Sequence, residues 1–567
     1  MAVKYRIHNA PSPFALEQGR RIGASHAIIY SIGPCSSLTF HRDPVTGRYM
    51  DEFPQYFDDY PKVSELRHSA DASWLEPLRG HIRAMCSRAE TLGIKPVFHL
   101  YEPMLPLAFE REYPDLVGVF KRPTQEGTID VHSLLDPDNP QSWELMKNKY
   151  RELARDFPEI AMYVITTGDT ASAYLCTPEA EMPVYKRLVK LVEAAREGVR
   201  EARKDAVVCF RLWWRNFPDE FYRDGHRLIG ELTGLENAGE LMCRIGRPYN
   251  DPSVVLPKLF EELPQDVPVM YKSSRMDIHD NTPLTHVLGK YPAEREQIME
   301  ISYEMHHEKS YPWCKAAHIR KGLDAVKRHG LAGYVSLPIN MGNNQRDIDP
   351  ESGNLGRMNT WLFENLAKGD RRSDRELVAA WLEKEYGSSQ PDVVVDALLD
   401  AEVLADEGIQ WGRGINHRVP FASIHATKLC WMFDGFIQPD FPYAMAKPSR
   451  ELIEGLIEMK HSAHRRAVEH IHRLDAARPA IAPRLYQEIR DGYQVFADYI
   501  SLRRDWSSYI LMLYAVEKGV YPPERKVLGR MSRYVESFIA NLVRLKDSPA
   551  GRKAMTQLAF PDPFPLS

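Results

Sequence analysis

Along the first two thirds of the chain, short apolar runs alternate with stretches whose apolar positions recur every three or four residues. Residues 25–31 (SHAIIYS) form a β-type run. Residues 74–92 carry Leu75, Leu78, Ile82, Met85 and Leu92 on one helical face, and Gly93 supplies a stop. A buried strand is then expected at 96–101 (PVFHLY). The unit recurs at 161–166 (AMYVIT), followed by a helix bearing Val184, Leu188, Val192, Ala195 and Val199. Further β-type runs lie at 207–213, 241–245, 267–271, 298–303 and 331–337. Eight apolar strands separated by helices are the count of a (β/α)8 TIM barrel, so the expected fold class is α/β.

Beyond residue 337 the strand pattern stops. Ser373 and Glu376 have capping-box spacing at the head of a helix running to Tyr386, with Gly387 at its end. Helical patterns cover 392–410, 449–476, 483–518 and 523–546. The expected organisation is a catalytic barrel over 1–365 and an α-helical domain over 366–567. The helix carrying His461, His464, His470 and His472 reads as a solvated face. Trp506, Tyr509 and Leu513 read either as core or as an interface through which a homodimer would form.

The 567 residues are 44% hydrophobic and 27% charged, with a net charge of −5, which gives ample apolar material for a large core. No basic block is present to neutralise phosphates, which argues against a nucleic-acid partner. No apolar run approaches the ~20 residues that a membrane-spanning helix needs. The start, MAVKYRIHNA, has no apolar leader, and seven scattered cysteines without a CxxC pair fit free thiols in a reducing compartment. The expected location is cytoplasmic.

In a barrel of this kind the chemistry sits at the C-terminal ends of the strands. Those positions hold His99 and Glu102, then Asp169, then Arg211, Trp213, Trp214 and Arg215. Lys272, Arg275 and Asp277 follow, then Glu304 and His306, and finally Asn343. Carboxylates, arginines and tryptophans gathered at one rim are what a sugar site requires. Aromatic faces stack on pyranose C–H surfaces, polar groups fix hydroxyls, and two carboxyl groups divide the acid and base roles. The pair His306-His307 lacks HExxH spacing, so no metal or other cofactor is expected.

Several of these segments, taken in order, resemble the α-glucuronidases of glycoside hydrolase family 67. VITTGDT (164–170) resembles the segment bearing that family's general acid, which falls on Asp169. FRLWWRN (210–216) resembles its Trp-Arg-Ala-Phe strand, which puts a substrate-binding arginine at Arg211. MYKSSRMDIHDNTPLTHVLG (270–289) resembles the segment carrying the first water-activating carboxylate, here Asp277. QIMEISYEMH (297–306) resembles the strand end carrying the second, here Glu304. The block 357–387 resembles an Asn-containing helix that follows.

The resemblance implies a (β/α)8 barrel with a helical C-terminal region. It further implies inverting removal of an α-1,2-linked glucuronate or 4-O-methylglucuronate from an oligosaccharide. Asp169 would be the acid, with a pKa raised by burial among Tyr163, Trp213 or Trp214, and Asp277 and Glu304 would flank the water. Arg211 would bind the substrate, with Arg275, Lys272 and Arg215 as further cations. Three departures stand out. The family's N-terminal β-sandwich is missing, its acid is Asp rather than Glu, and its uronate-binding lysine is replaced by Ile165. The last departure keeps open an α-glycosidase for a neutral or otherwise modified sugar. A non-catalytic sugar-binding barrel is the third alternative.

Overall fold

Five residues near the start of the chain close the sheet. In the computed structural model the described residues are 3–32, 58–65, 75–102, 108–123, 129–166, 181–212, 252–272, 288, 294–303, 312, 314–338, 355–408 and 448–547. Strand β1 (Tyr5–Asn9) pairs in parallel with both β2 (His26–Ile32) and β10 (Gly333–Leu337). Between them lie β3 (Lys95–Tyr101), β6 (Met162–Thr166), β7 (Val207–Leu212), β8 (Val269–Lys272) and β9 (Gln297–Ser302). The order β1-β10-β9-β8-β7-β6-β3-β2 closes on itself, so the fold is a (β/α)8 barrel.

One of the eight expected strands needs correction. Residues 241–245 lie outside the described residues and supply no stave, because β7 bonds directly to β8 through Phe210↔Val269, Arg211↔Met270 and Leu212↔Tyr271. The missing stave is Tyr5–Asn9. Its sequence, YRIHN, is short and largely polar, and only Tyr5 and Ile7 join the barrel interior while Arg6 and His8 point outward. The strands at 26–32, 95–101, 162–166 and 207–212 are therefore the second to fifth, and the last three keep their places.

The inside of the barrel is filled by Tyr5, Ile7, Ile28, Val97, Met162, Val164, Cys209, Met270, Ile298 and Val335, one layer of alternating strand positions. Gly333 has a positional reason. A Cβ there would stand 2.2 Å from the carbonyl oxygen of Tyr5, so only glycine lets β10 approach β1 closely enough to close the sheet. The outward positions, among them Phe98, Tyr163, Ile165, Phe210 and Ile301, form a second apolar layer beneath the helices. Those helices include α1 (Pro13–Arg21), α2 (Leu75–Thr91), α3 (Pro140–Asp156), α4 (Val184–Ala202), α5 (Pro252–Glu262), α6 (Ala316–Arg328) and α7 (Leu355–Ala367). Helix α2 ends at the expected glycine, Gly93, whose φ is +69°.

An antiparallel hairpin, β4 (Val117–Pro123) and β5 (Ile129–Leu135), was not read from the sequence. It is inserted between the C-terminal end of β3 and α3, on the side of the barrel where sites are built.

The helical region follows the sequence closely. Helix α8 (Asp374–Tyr386) opens with the Ser373–Glu376 capping box and stops at Gly387, whose φ is +75°. Then come α9 (Asp392–Gly408), α10 (Arg450–Ala477), α11 (Pro483–Glu517) and α12 (Arg525–Asp547). One apolar cluster runs from Ala10 through the barrel's outer layer to Ile500 on α11, so the core is continuous across residue 365. A buried ion pair, Lys315 Nζ to Glu402 Oε1 at 2.9 Å, ties the residue before α6 to α9.

The histidines of α10 do not form a solvated face. His470 is buried, with its Nε2 2.9 Å from Asp400 Oδ2. His464 Nδ1 accepts from Arg504 at 3.0 Å, and burial beside that guanidinium pulls its pKa down to about 4. His461 is half-buried and packs near Tyr534, and His472 alone of the four is exposed. The face expected to be wet is instead the seam that α10 makes with α9, α11 and α12. Trp506 likewise packs on Phe538 of α12 at 5.4 Å, as core between α11 and α12.

No described helix is long and apolar enough to cross a membrane.

Candidate functional site

Strand alternation decides which side chains can reach the mouth. On β3, Val97 belongs to the interior, so His99 faces inward one step nearer the C-terminal end. The same step from Val164 gives Thr166, from Cys209 gives Arg211 and from Ile298 gives Glu300. These four make a polar floor above the apolar interior. His99 Nε2 lies 2.7 Å from Thr166 Oγ1. Arg211 donates to Glu300 through two parallel bonds, Nε to Oε2 at 2.7 Å and Nη2 to Oε1 at 2.8 Å. Both partners of that fork are almost fully buried, at 1% and 3% exposure. Lys272 occupies the register position opposite Glu300 on the adjacent strand, two positions along from the interior residue Met270.

Glu300 was not singled out from the sequence, although the signal was present. It is the one charged residue inside the apolar strand QIMEIS, and it shares parity with the interior residue Ile298.

The same alternation sends other expected residues away from the mouth. Glu102 turns toward α3, where Lys149 Nζ lies 3.1 Å from its Oε1 and the Tyr150 hydroxyl donates to it at 3.0 Å. Glu102 is thereby anchored in the layer between sheet and helices. Tyr163 also faces outward, edge-on to Phe98 and Tyr150, so it is not available to surround a carboxyl at the rim. Ile165 is fully buried in that same outer layer. A lysine at position 165 would point away from the mouth; Thr166 is the β6 residue that faces in.

The strand end at β9 is held from behind. The Tyr303 ring stacks on Phe363 with centroids 5.2 Å apart, and its hydroxyl is 2.9 Å from Ser336 Oγ. Ser336 Oγ is in turn 3.1 Å from His8 Nδ1. Burial drives the His8 pKa down to about 3, so this imidazole is neutral at ordinary pH. The chain His8–Ser336–Tyr303 links β1, β10 and β9 on the outer face of the sheet, next to the point where the backbone leaves toward Glu304.

Asp169, Asp277 and Glu304 lie outside the described residues, as do Trp213, Trp214, Arg215, Arg275, His306 and Asn343. The strands that lead to them are described. Strand β6 ends at Thr166, three residues before Asp169, β8 at Lys272, five before Asp277, and Tyr303 immediately precedes Glu304. Among the described residues no group of three or more His, Cys, Asp or Glu side chains is arranged to hold a metal ion.

No protein-family model matches the sequence, and no curated protein is similar to it by sequence. Solved structures do match its fold. A GH138 enzyme targeting pectin rhamnogalacturonan II is 9% identical, with a TM-score of 0.58 over 96% of this chain and 72% of that one. An O-GlcNAc hydrolase of Thermobaculum terrenum is 9% identical, with a TM-score of 0.41 over 98% and 94% of the two chains. A family 1 β-glucosidase from Thermotoga maritima is 12% identical, with a TM-score of 0.32 over 63% and 86%. All three are glycoside hydrolases. The likeness to the first extends over nearly the whole chain, helical region included, and is a likeness of fold.

Proposed function

We propose that the protein is a glycoside hydrolase that removes a terminal α-linked sugar from an oligosaccharide with inversion. The observation that carries this reading is the buried polar floor of Arg211, Glu300, His99 and Thr166 at the C-terminal face of a closed barrel. The strand ends around it lead directly to Asp169, Asp277 and Glu304. Strand order supports the division of roles. Strands β8 and β9 are neighbours, so Asp277 and Glu304 leave from adjacent staves, and β7 separates β8 from β6, which leads to Asp169. At ~4.8 Å per strand, the stave leading to the acid stands about 10 Å from the one leading to Asp277. That spacing suits an acid and a base ~6.5–9.5 Å apart with a water between them. Asp169 protonates the leaving oxygen, and one of Asp277 and Glu304 takes the proton of the attacking water while the other orients it.

An acidic sugar, glucuronate or 4-O-methylglucuronate, is the reading we favour for the substrate. Its support is the resemblance in sequence, with Arg211 at the floor as the cation which that resemblance assigns to the substrate. A neutral sugar is the second reading. It is favoured by a specific observation: Arg211 already spends its fork on Glu300.

A proton NMR time course separates these outcomes. The substrate is a short xylo-oligosaccharide bearing an α-1,2-linked 4-O-methylglucuronate, run beside a neutral α-linked counterpart. First release of the β-anomeric acid is the expected result, and Asp169→Asn should abolish it. Initial α-anomer would overturn inversion. Turnover of the neutral substrate alone would overturn the uronate, and turnover of neither, over a broad panel of α-glycosides, would overturn the hydrolase itself.

A further inference from the structure

Four large apolar side chains are strongly exposed among the described residues, and three of them, Leu528, Ile539 and Val543, lie on α12. Each is about half exposed, at 50%, 53% and 54%. They are not scattered. Together with Ser532 and half-buried Val535 they fall at 528, 532, 535, 539 and 543, the three-and-four spacing of one continuous helical stripe. The helix does not need this stripe to dock on its own chain. Its other side does that with Met531, Phe538 and Leu545, with Arg530 paired to Glu454, and with Ser537 and Asn541 both donating to Asp505. Exposed apolar side chains gathered along one stripe of a single helix mark a contact surface rather than scattered surface apolarity.

We propose that this stripe is an isologous dimer interface, in which α12 packs antiparallel against α12 of a second copy of this chain. Two pairs of the stripe, Leu528 with Val543 and Ser532 with Ile539, are symmetric about the midpoint between Val535 and Glu536, so the central Val535 lies beside the axis. A two-fold axis there sets Leu528 against the partner's Val543 and Ser532 against the partner's Ile539, and brings the two copies of Val535 together. Self-complementarity of that kind is what a two-fold contact requires. Charge agrees at the centre. Arg533 and Glu536 are exposed on the same flank, and the axis brings each beside the opposite residue of the other copy, giving two crossed ion pairs. This inference stands apart from the proposed hydrolysis, since the contacts of α12 among the described residues are with α10 and α11.

The test is sedimentation velocity on the full chain at about 1 to 50 μM, the range that populates a contact of micromolar affinity. The expected species is twice the 65.2 kDa of one chain. Ile539→Glu should give the monomer with unchanged circular dichroism, because that side chain is exposed in the single copy. Val535→Cys, next to the axis, should form an intermolecular disulfide on oxidation, whereas Leu528→Cys, which faces Val543, should not, with the parent chain as control. A monomer at every concentration overturns the proposal, as does a dimer that survives Ile539→Glu or leaves Val535→Cys unlinked. Sedimentation of a monomer with anionic phospholipid vesicles, lost in Ile539→Glu, would assign the stripe to a lipid surface and overturn the dimer.

Discussion

Arg211 on β7 and Glu300 on β9 reach across the intervening strand β8 to form a two-bond fork at 2.7 and 2.8 Å, and both are almost wholly removed from solvent. The pair makes the floor of the barrel mouth rigid and leaves it with little net charge of its own. It also weakens what Arg211 can offer an anionic group, because a guanidinium paired with a buried carboxylate attracts a second anion less than a free one does.

Removing one member strands the other. Glu300→Gln should cost about 3–5 kcal/mol, the usual consequence of an unpaired buried charge, and Arg211→Met a comparable amount. The double replacement Arg211→Met with Glu300→Leu should cost much less than the two single costs added together. Urea unfolding of the four proteins measures the coupling. A single-variant cost below about 1 kcal/mol would mean that the fork is not formed in solution.

The register of β6 makes a second prediction. Ile165 is buried against the helices, so Ile165→Lys should not create a uronate site. It should instead destabilise the protein by several kcal/mol through an unpaired buried ammonium. Thermal melts and activity on acidic and neutral substrates check both halves. A stable variant with improved turnover of the acidic sugar would show that residue 165 faces the mouth.

Closure of the barrel depends on Gly333. Adding a methyl group 2.2 Å from the Tyr5 carbonyl forces β1 and β10 apart, so Gly333→Ala should lose several kcal/mol or fail to fold. Gly80→Ala is the control. Nothing stands within 4 Å of a Cβ built there, and alanine inside helix α2 should stabilise by about 0.5–1 kcal/mol.

Glu152 on α3 predicts a pH dependence. Burial, reinforced by the nearby Asp58 charge, pushes its carboxyl from 4.5 up to about 7. Between those values the folded protein holds a proton that the unfolded chain has released. Stability from this group therefore falls as pH rises from about 4.5 to about 7, and the full penalty stands above 7. Glu152→Gln keeps an acceptor for the Asp58 backbone N–H and cannot ionise. It should match the parent near pH 4.5 and exceed it above pH 7 by about 1–3 kcal/mol in chemical denaturation. Equal stabilities across that range would mean that the carboxyl is solvated.

Local pattern was enough for much of this molecule. Hydrophobic period and end signals set α2, α8 and the four long helices after it, because caps such as Ser373 and stops such as Gly93 and Gly387 act within a few residues of themselves. Seven of the eight staves were legible for the same reason, as apolar runs buried on both faces. The eighth, Tyr5–Asn9, was hidden because closure rests on its partners β2 and β10, far along the chain, and not on its own composition.

Pairing across the sheet also decided which strand residues face the barrel mouth. The sequence put His99, Glu102, Arg211 and Ile165 near strand ends without saying which way each points. Only the alternation of the assembled barrel sends His99 and Arg211 inward, and Glu102 and Ile165 out to the helices. Glu300 became visible as Arg211's partner only when strands 89 positions apart were brought together, since an ion pair depends on distance in space and leaves no trace in spacing along the chain.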